Sequence, residues 1–237
     1  GWEWSRLVKI SSLAARLGYL ALVLLTLAVA ANWLGLPDAF DDERSQQLLL
    51  VAVGVWAVIF LWIQGYPSSA ILWSTQPVLG LLGLMLFCFT WVAIVTIMNH
   101  TSGQWLLLLA IVIIALADIG GFFAGKYFGK HRLAPIISPG KTWEGFVGGL
   151  VLQAALVGSL VWLLSDEMSL LSLSLLVFPV GLYSVLGDLF ESMIKRHSGV
   201  KDSGHLLPGH GGVLDRLDGM MAALPMFGLI LPFTNTF

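Results

Sequence analysis

Residues 77–98 read PVLGLLGLMLFCFTWVAIVTIM, twenty-two positions without a charged side chain. As a helix this run is about 33 Å long, enough to cross a hydrocarbon core of about 30 Å. Strands of a membrane barrel would alternate apolar and polar residues, and this run does not, so helix is the element it specifies. Six further apolar runs, 17–36, 48–64, 104–118, 145–164, 168–187 and 219–235, read the same way. Of these, 104–118 is short for a span unless it continues through IGGFFAG. Over the whole chain 57% of residues are hydrophobic and 11% charged, whereas a soluble domain needs about a quarter charged to cover its surface. The expected fold class is therefore all-α: a polytopic transmembrane helical protein with about seven spans and two elaborate cytoplasmic loops. PDAFDDERSQQ and GYPSSAILWSTQP read as connections punctuated by Pro and Gly. No repeat, low-complexity tract or long linker divides the chain, so residues 1–237 are expected to be one integral-membrane domain. Gly1 opens directly into GWEWSRLVKI with no signal-peptide pattern, and upstream spans are expected to be missing. Cys88 lies inside an apolar run, where neither a disulfide nor a reactive thiolate is expected.

The distribution of charge carries more than the net value of -2. Arg6, Lys9 and Arg16 precede the first span; Lys126, Lys130, Arg132 and Lys141 lie in 119–144; Lys195, Arg196, Lys201 and Arg216 lie in 188–218. Alternating the sides places eleven of the twelve cations together, and by the positive-inside rule that side is the cytoplasm. Asp38, Asp41, Asp42, Glu43, Asp166 and Glu167 fall opposite.

The polar chemistry is concentrated in two of these loops. In GDLFESMIKRHSGVKDSG, Asp188, Glu191, Ser192 and Lys195 stand at i, i+3, i+4 and i+7, one face of a helix leaving the membrane. Asp215 and Asp218 repeat the i, i+3 spacing at the head of the last span. First-turn acids gain from the helix dipole, but a cap needs only one of them and does not explain Asp188. Clustered carboxylates near lysines suit a hard divalent cation such as Mg²⁺ bridging to phosphate. Between the clusters, glycines that include Gly211 and Gly212 alternate with Lys201, Asp202, His205 and His210. Such a loop brings backbone N–H groups near phosphate oxygens. No Walker pattern, HExxH or CxxC is present, which sets aside a P-loop and a zinc centre. Upstream, Ser138, Gly140, Lys141 and Thr142 in SPGKTWEG form a second compact anion or nucleotide contact. Gly121, Gly125 and Gly129 at i+4 spacing read as close helix packing. Asp118 is either a further acid facing the site or a packing polar group.

Taken together, Ser192, Lys195, Arg196, Lys201, Asp202, Pro208, His210, Gly211, Gly212, Asp215, Arg216 and Asp218 resemble the signature of the phosphatidate cytidylyltransferases, or CDP-diacylglycerol synthases. The resemblance extends through SVLGDLFES and GKYFGKHRLAPIISPGKTWEGFVGG and covers about 115 to the end, plus WEW near the start. It implies transfer of CMP from CTP to phosphatidate, releasing pyrophosphate, in a Mg²⁺-dependent homodimeric enzyme of the bacterial inner membrane. Its site would face the cytoplasm, and no nucleic-acid partner is expected. Carried over, Asp188 and Asp215 would hold metal with Asp218 in support, and Ser192 and Lys195 would contact phosphates. Lys201, Asp215, Arg216 and Asp218 would join Asp188, Ser192 and Lys195 in catalysis. Asp118, Ser138, Lys141, Thr142, Arg196, Asp202, His210, Gly211 and Gly212 would line the substrates. Relatives often carry Ser and Tyr after the acid of the fourth span, where this chain has Ile119 and Phe122. Whether a second, monovalent cation assists is left open. A CTP-dependent lipid kinase and an ion-coupled transporter are the competing readings. Transporters usually show internal repeats and midplane acids, neither of which is seen here.

Overall fold

In the computed structural model, which describes residues 1–163, 169–204 and 211–234, every expected apolar run is helical over most of its described length. Seven helical stretches are long and apolar enough to cross a membrane: Leu13–Trp33 (α2), Asp42–Gln64 (α3), Gln76–Met98 (α5), Gly103–Phe128 (α6), Trp143–Leu163 (α7), Leu170–Ser198 (α8), and Leu214–Phe233. The last comprises α9, Leu214–Ile230, and a 3-10 turn, Leu231–Phe233. Two short helices, Trp2–Leu7 (α1) and Ala70–Trp73 (α4), complete the helical set among the described residues.

Local chemistry sets the ends of these helices. Ser12, Asp41 and Ser169 accept the amides of Ala15, Arg44 and Ser172, each satisfying one orphan donor of a first turn. Gly199 ends α8 in the left-handed conformation that glycine adopts without penalty. At 29 residues α8 is about 44 Å long, more than a bilayer core requires, and its last turns carry Asp188 to Lys195.

Two differences from the sequence reading bear on the site. The fourth span does not stop at 118 but continues through IGGFFAG to Phe128, so Asp118 is inside a helix and Lys126 is on its last turn. SPGKT forms a strand, Ser138–Thr142 (β2), antiparallel to Arg132–Ala134 (β1), so this connection is a small hairpin. Of the glycine series, Gly121 and Gly125 pack against α7, where a Cβ at Gly145 would lie 2.6 Å from Gly121 O and 3.3 Å from Gly125 Cα, whereas Gly129 is the C-cap of α6 beside Thr142. A Cβ at Gly120 would lie 2.5 Å from the Gly148 carbonyl oxygen, so α6 and α7 touch backbone to backbone.

Two apolar clusters form the interior. One joins Leu49, Val92, Ile113, Leu176 and Phe227 across α3, α5, α6, α8 and α9. The other gathers Trp4, Trp56, Trp73, Leu86, Phe190 and Met193 at the opposite end. Trp4 anchors α1 there: its indole N–H donates to Leu79 O at 3.0 Å, and its ring meets Phe87 at 6.0 Å and Phe190 at 6.2 Å. α2 instead leaves Leu13, Leu17, Leu22, Leu24 and Leu25 uncovered, as a helix bathed in lipid tails does.

Candidate active site

The site forms where α8 crosses α9. A Cβ at Gly187 would lie 2.3 Å from Asp218 O, so only glycine lets the two backbones approach this closely. The crossing sets the acidic face of α8 against the first turns of α9. Lys195 Nζ bridges them, donating to Glu191 Oε2 at 3.0 Å and to Asp215 Oδ1 at 2.7 Å. Ser192 Oγ donates to Asp188 Oδ1 at 3.2 Å. The i, i+3, i+4, i+7 face read from the sequence thus carries two hydrogen-bonded pairs, Asp188 with Ser192 and Glu191 with Lys195.

Lys141 reaches the same place from β2, with Nζ 2.6 Å from Asp188 Oδ2. Its hairpin is held from two sides. Arg196 Nε donates to Ile137 O at 3.2 Å, and Glu144 pairs with the His131 ring at 2.6 Å while accepting the amides of Lys130 and His131. Asp118 approaches from α6 and interacts electrostatically with Asp188 and Lys141. Asp218 interacts in turn with Asp188 and Glu191. Asp118, Asp188, Glu191 and Asp218 therefore make one carboxylate group, offset only in part by Lys141 and by Lys195, which Asp215 shares.

Asp215 is used differently. Its two oxygens accept Lys195 Nζ, Ser203 N at 3.0 Å and Gly212 N at 2.7 Å. Gly211, at a φ of 83°, turns the loop so that the Gly212 amide points back at this carboxylate. The sequence reading placed Asp215 among the metal ligands; in the structure chain donors already satisfy it, and it ties the loop to α8. A cation would find open oxygen chemistry elsewhere. Glu191 is fully buried and its Oε1 accepts no hydrogen bond. Adjacent carboxylates repel unless a proton or cation lies between them. The donors are hard oxygens, which fits Mg²⁺. Among the described residues no three acids or imidazoles already stand as a metal cage, and the Lys141 ammonium sits against the Asp188 oxygen that a cation would share.

Of the other expected residues, Thr142 caps α7: Gly145 N donates to its Oγ1 at 3.1 Å. It also lines, with Asp118, Lys141 and Asp188, a cavity of about 330 Å³ between α6, α7 and α8. The rest of that cavity is mostly apolar, including Phe122, Leu133, Phe146, Leu150 and Val185. Ser138, at the far end of β2, is not part of its wall. Arg216 stands on the first turn of α9. Lys201 and Asp202 face a different cavity, described below. His210 lies outside the described residues, as do His205 and Pro208.

The sequence profile of the cytidylyltransferase family matches residues 1–234. The chain belongs to the cytidylyltransferase family. It is 38% identical over 245 residues to the phosphatidate cytidylyltransferase of Haemophilus influenzae, covering 95% of this chain and 83% of that one. The phosphatidate cytidylyltransferase of Pseudomonas aeruginosa is 36% identical over 231 residues, covering 97% and 82%. One from Staphylococcus aureus is 43% identical over 133 residues, covering 56% and 51%. The full-length match gives the resemblance seen in the motifs its footing.

Two residues of this cytidylyltransferase site escaped the motif reading. Glu191 was visible on the α8 face but had no assigned role. Glu3, some 210 residues away in sequence, accepts Val213 N at 3.0 Å and Leu214 N at 2.7 Å, so α1 supplies the cap of α9. Its sequence signals were an acid inside an apolar, tryptophan-flanked segment, GWEWS, and the share of that WEW in the family resemblance, neither of which gave it a role.

Proposed function

We infer that this cytidylyltransferase transfers CMP from CTP to phosphatidate, forming CDP-diacylglycerol and pyrophosphate for phospholipid synthesis. The observation that carries the reading is the α8–α9 crossing. It joins the carboxylates and ammonium of Glu191, Lys195 and Asp215 to Asp188, which together with Asp118 and with Lys141 of the hairpin lines an apolar cavity between membrane-spanning helices. That arrangement suits an anionic headgroup with a greasy tail. The relatives' names favour nucleotidyl transfer over transfer of the terminal phosphate.

In the reaction, a phosphate oxygen of phosphatidate attacks the α-phosphorus of CTP, and the bond from that phosphorus to the bridging oxygen breaks to release pyrophosphate. A phosphate monoester is already anionic near neutral pH, so positioning and charge screening matter more than a strong base. Lys141 and Thr142 would meet the lipid phosphate, with the glycerol in the cavity behind them. Lys195, held between Glu191 and Asp215, would screen the nucleotide phosphates, and Ser192 would orient Asp188. Arg196 supports this indirectly through the hairpin.

We propose Asp188 and Asp218 as holders of Mg²⁺, with Glu191 beside them. Asp188, engaged by Ser192 and Lys141, and Asp215, engaged by Lys195 and two amides, would each have to release a present donor to take the ion. The bound ion would neutralise charge on the triphosphate. The lysine and arginine asymmetry of the loops supports an inner-membrane protein with this site on the cytoplasmic side; a homodimer follows from the family resemblance.

The test is purified protein with phosphatidate, Mg²⁺ and CTP labelled at the α-phosphate. Label should enter the lipid phase and be lost with EDTA. Label entering from γ-labelled CTP instead would overturn the reading in favour of a kinase.

A further inference from the structure

A second cavity, of about 390 Å³, lies between the end of α1 and the turn that follows α8. Arg6 and Lys9 line it from one side and Lys201 from the other, with Asp202 the only acid among its described lining residues. Three cations against one carboxylate leave the concavity net positive. None of the three forms an ion pair among the described residues. Cations on a convex surface are screened by water on all sides, whereas these three border one hollow, which strengthens their combined field there.

The wall is rigidly built. Trp4 and Glu3 bury the front of α1, and Ser198 Oγ donates to Leu7 O at 3.1 Å, stitching the end of α8 to the end of α1. Lys9 takes a φ of 60°, in the left-handed region that non-glycine residues seldom adopt, and turns the chain at the cavity rim. Ser203 connects the cavity to the reaction site: it lines this wall while its amide donates to both oxygens of Asp215.

We propose that this cavity is a second phosphate site, taking a multiply charged phosphate anion on Arg6, Lys9 and Lys201. Resting on the transfer inferred above, its occupant is the pyrophosphate end of the nucleotide, which stays there as the leaving group. Arg6 and Lys9 then position the triphosphate so that its α-phosphorus faces Asp188 and Lys195. A lipid phosphomonoester has the same chemistry and is the alternative source of the anion.

Calorimetry of inorganic pyrophosphate binding tests this with the full chain in phosphatidylcholine nanodiscs, which add no net charge. Replacing Arg6→Gln and Lys9→Gln together should weaken pyrophosphate binding about tenfold or more, since two charge-assisted contacts are lost. Arg6→Lys with Lys9→Arg keeps the charge that sets the field of the hollow and should lose less affinity than the double glutamine variant. Both side chains are exposed, so the melting temperature should not move. In turnover, the KM for CTP and the inhibition constant of pyrophosphate should rise together while the KM for phosphatidate holds. Equal pyrophosphate affinity in wild type and the double glutamine variant overturns the proposal. Should phosphatidate binding in the discs weaken instead, with pyrophosphate unaffected, the cavity is a headgroup site and the nucleotide assignment is overturned. Because calorimetry needs no turnover, failure of the transfer reaction appears separately, as pyrophosphate binding intact with no label reaching lipid.

Discussion

Replacing Glu3 by Gln changes one oxygen to an amide group in a buried residue that lines neither cavity. The carboxylate is 5% exposed and accepts two amides of the α9 cap, at 3.0 and 2.7 Å. Gln keeps one acceptor, so one amide loses its partner and faces an N–H donor instead. A hydrogen bond to a charged group is worth about 1.5–3 kcal/mol, and a carboxylate at a helix N-terminus adds up to about 1 kcal/mol. Relaxation has little room, because Cβ atoms placed at Gly204 and Gly212 would lie 2.5 and 2.7 Å from Glu3 Oε1. Together these give a local loss of about 2–4 kcal/mol, or roughly 30- to 1,000-fold in an opening equilibrium. Hydrogen exchange of the Val213 and Leu214 amides in detergent should accelerate by that factor, while amides in the middle of α5 keep their protection. Turnover should fall at least about tenfold, because Asp215 and Lys195 depend on where α9 begins. Unchanged exchange at 213 and 214 would refute the claim that Glu3 holds this end of the site.

Asp188→Asn should abolish turnover and leave the described helices intact, and raising Mg²⁺ should not restore it if Asp188 holds the ion. Asp215→Asn should also abolish turnover, but through release of Lys195 and the glycine loop. Faster exchange of the Gly212 amide in this variant alone would separate the two roles. Gly187→Ala places a methyl 2.3 Å from Asp218 O, which should cost about 1–3 kcal/mol and most of the activity. Gly54→Ala is the control: its Cβ would meet nothing within 4 Å, so melting temperature and rate should be unchanged or slightly improved. Gly121→Leu enters the cavity between α6, α7 and α8, where a Cβ has its nearest neighbour at 3.9 Å. It should raise the KM for phosphatidate severalfold and leave the KM for CTP and pyrophosphate binding unchanged; a shift in the CTP value alone would reverse the assignment of the cavity.

Much of the architecture is legible in the chain itself, because a bilayer admits few solutions. A run such as 77–98 cannot leave its amides unpaired in hydrocarbon, so length and hydropathy together specify a helix, and all seven expected spans are helices of sufficient length. The face carrying Asp188, Glu191, Ser192 and Lys195 was also readable, since 3.6-residue periodicity is a local property. Periodicity cannot say which partner a face meets. The alignment of Asp118, Lys141 and Asp218 on Asp188 depends on helix crossings made at glycines that contribute no side chain. Likewise, nothing local distinguishes Asp215, satisfied by three chain donors, from Asp218, which faces other carboxylates. Glu3 is the limiting case: its role arises from a hydrogen bond across 210 residues, and the energy of such a contact has no trace in the residues around it. Sequence alone determined a seven-span helical protein with cationic, acid-bearing loops, because solvation by lipid acts on each segment separately. Which acids share a site, and which one closes it, was decided only by tertiary packing, because electrostatic and hydrogen-bond energies depend on distances that only the folded chain sets.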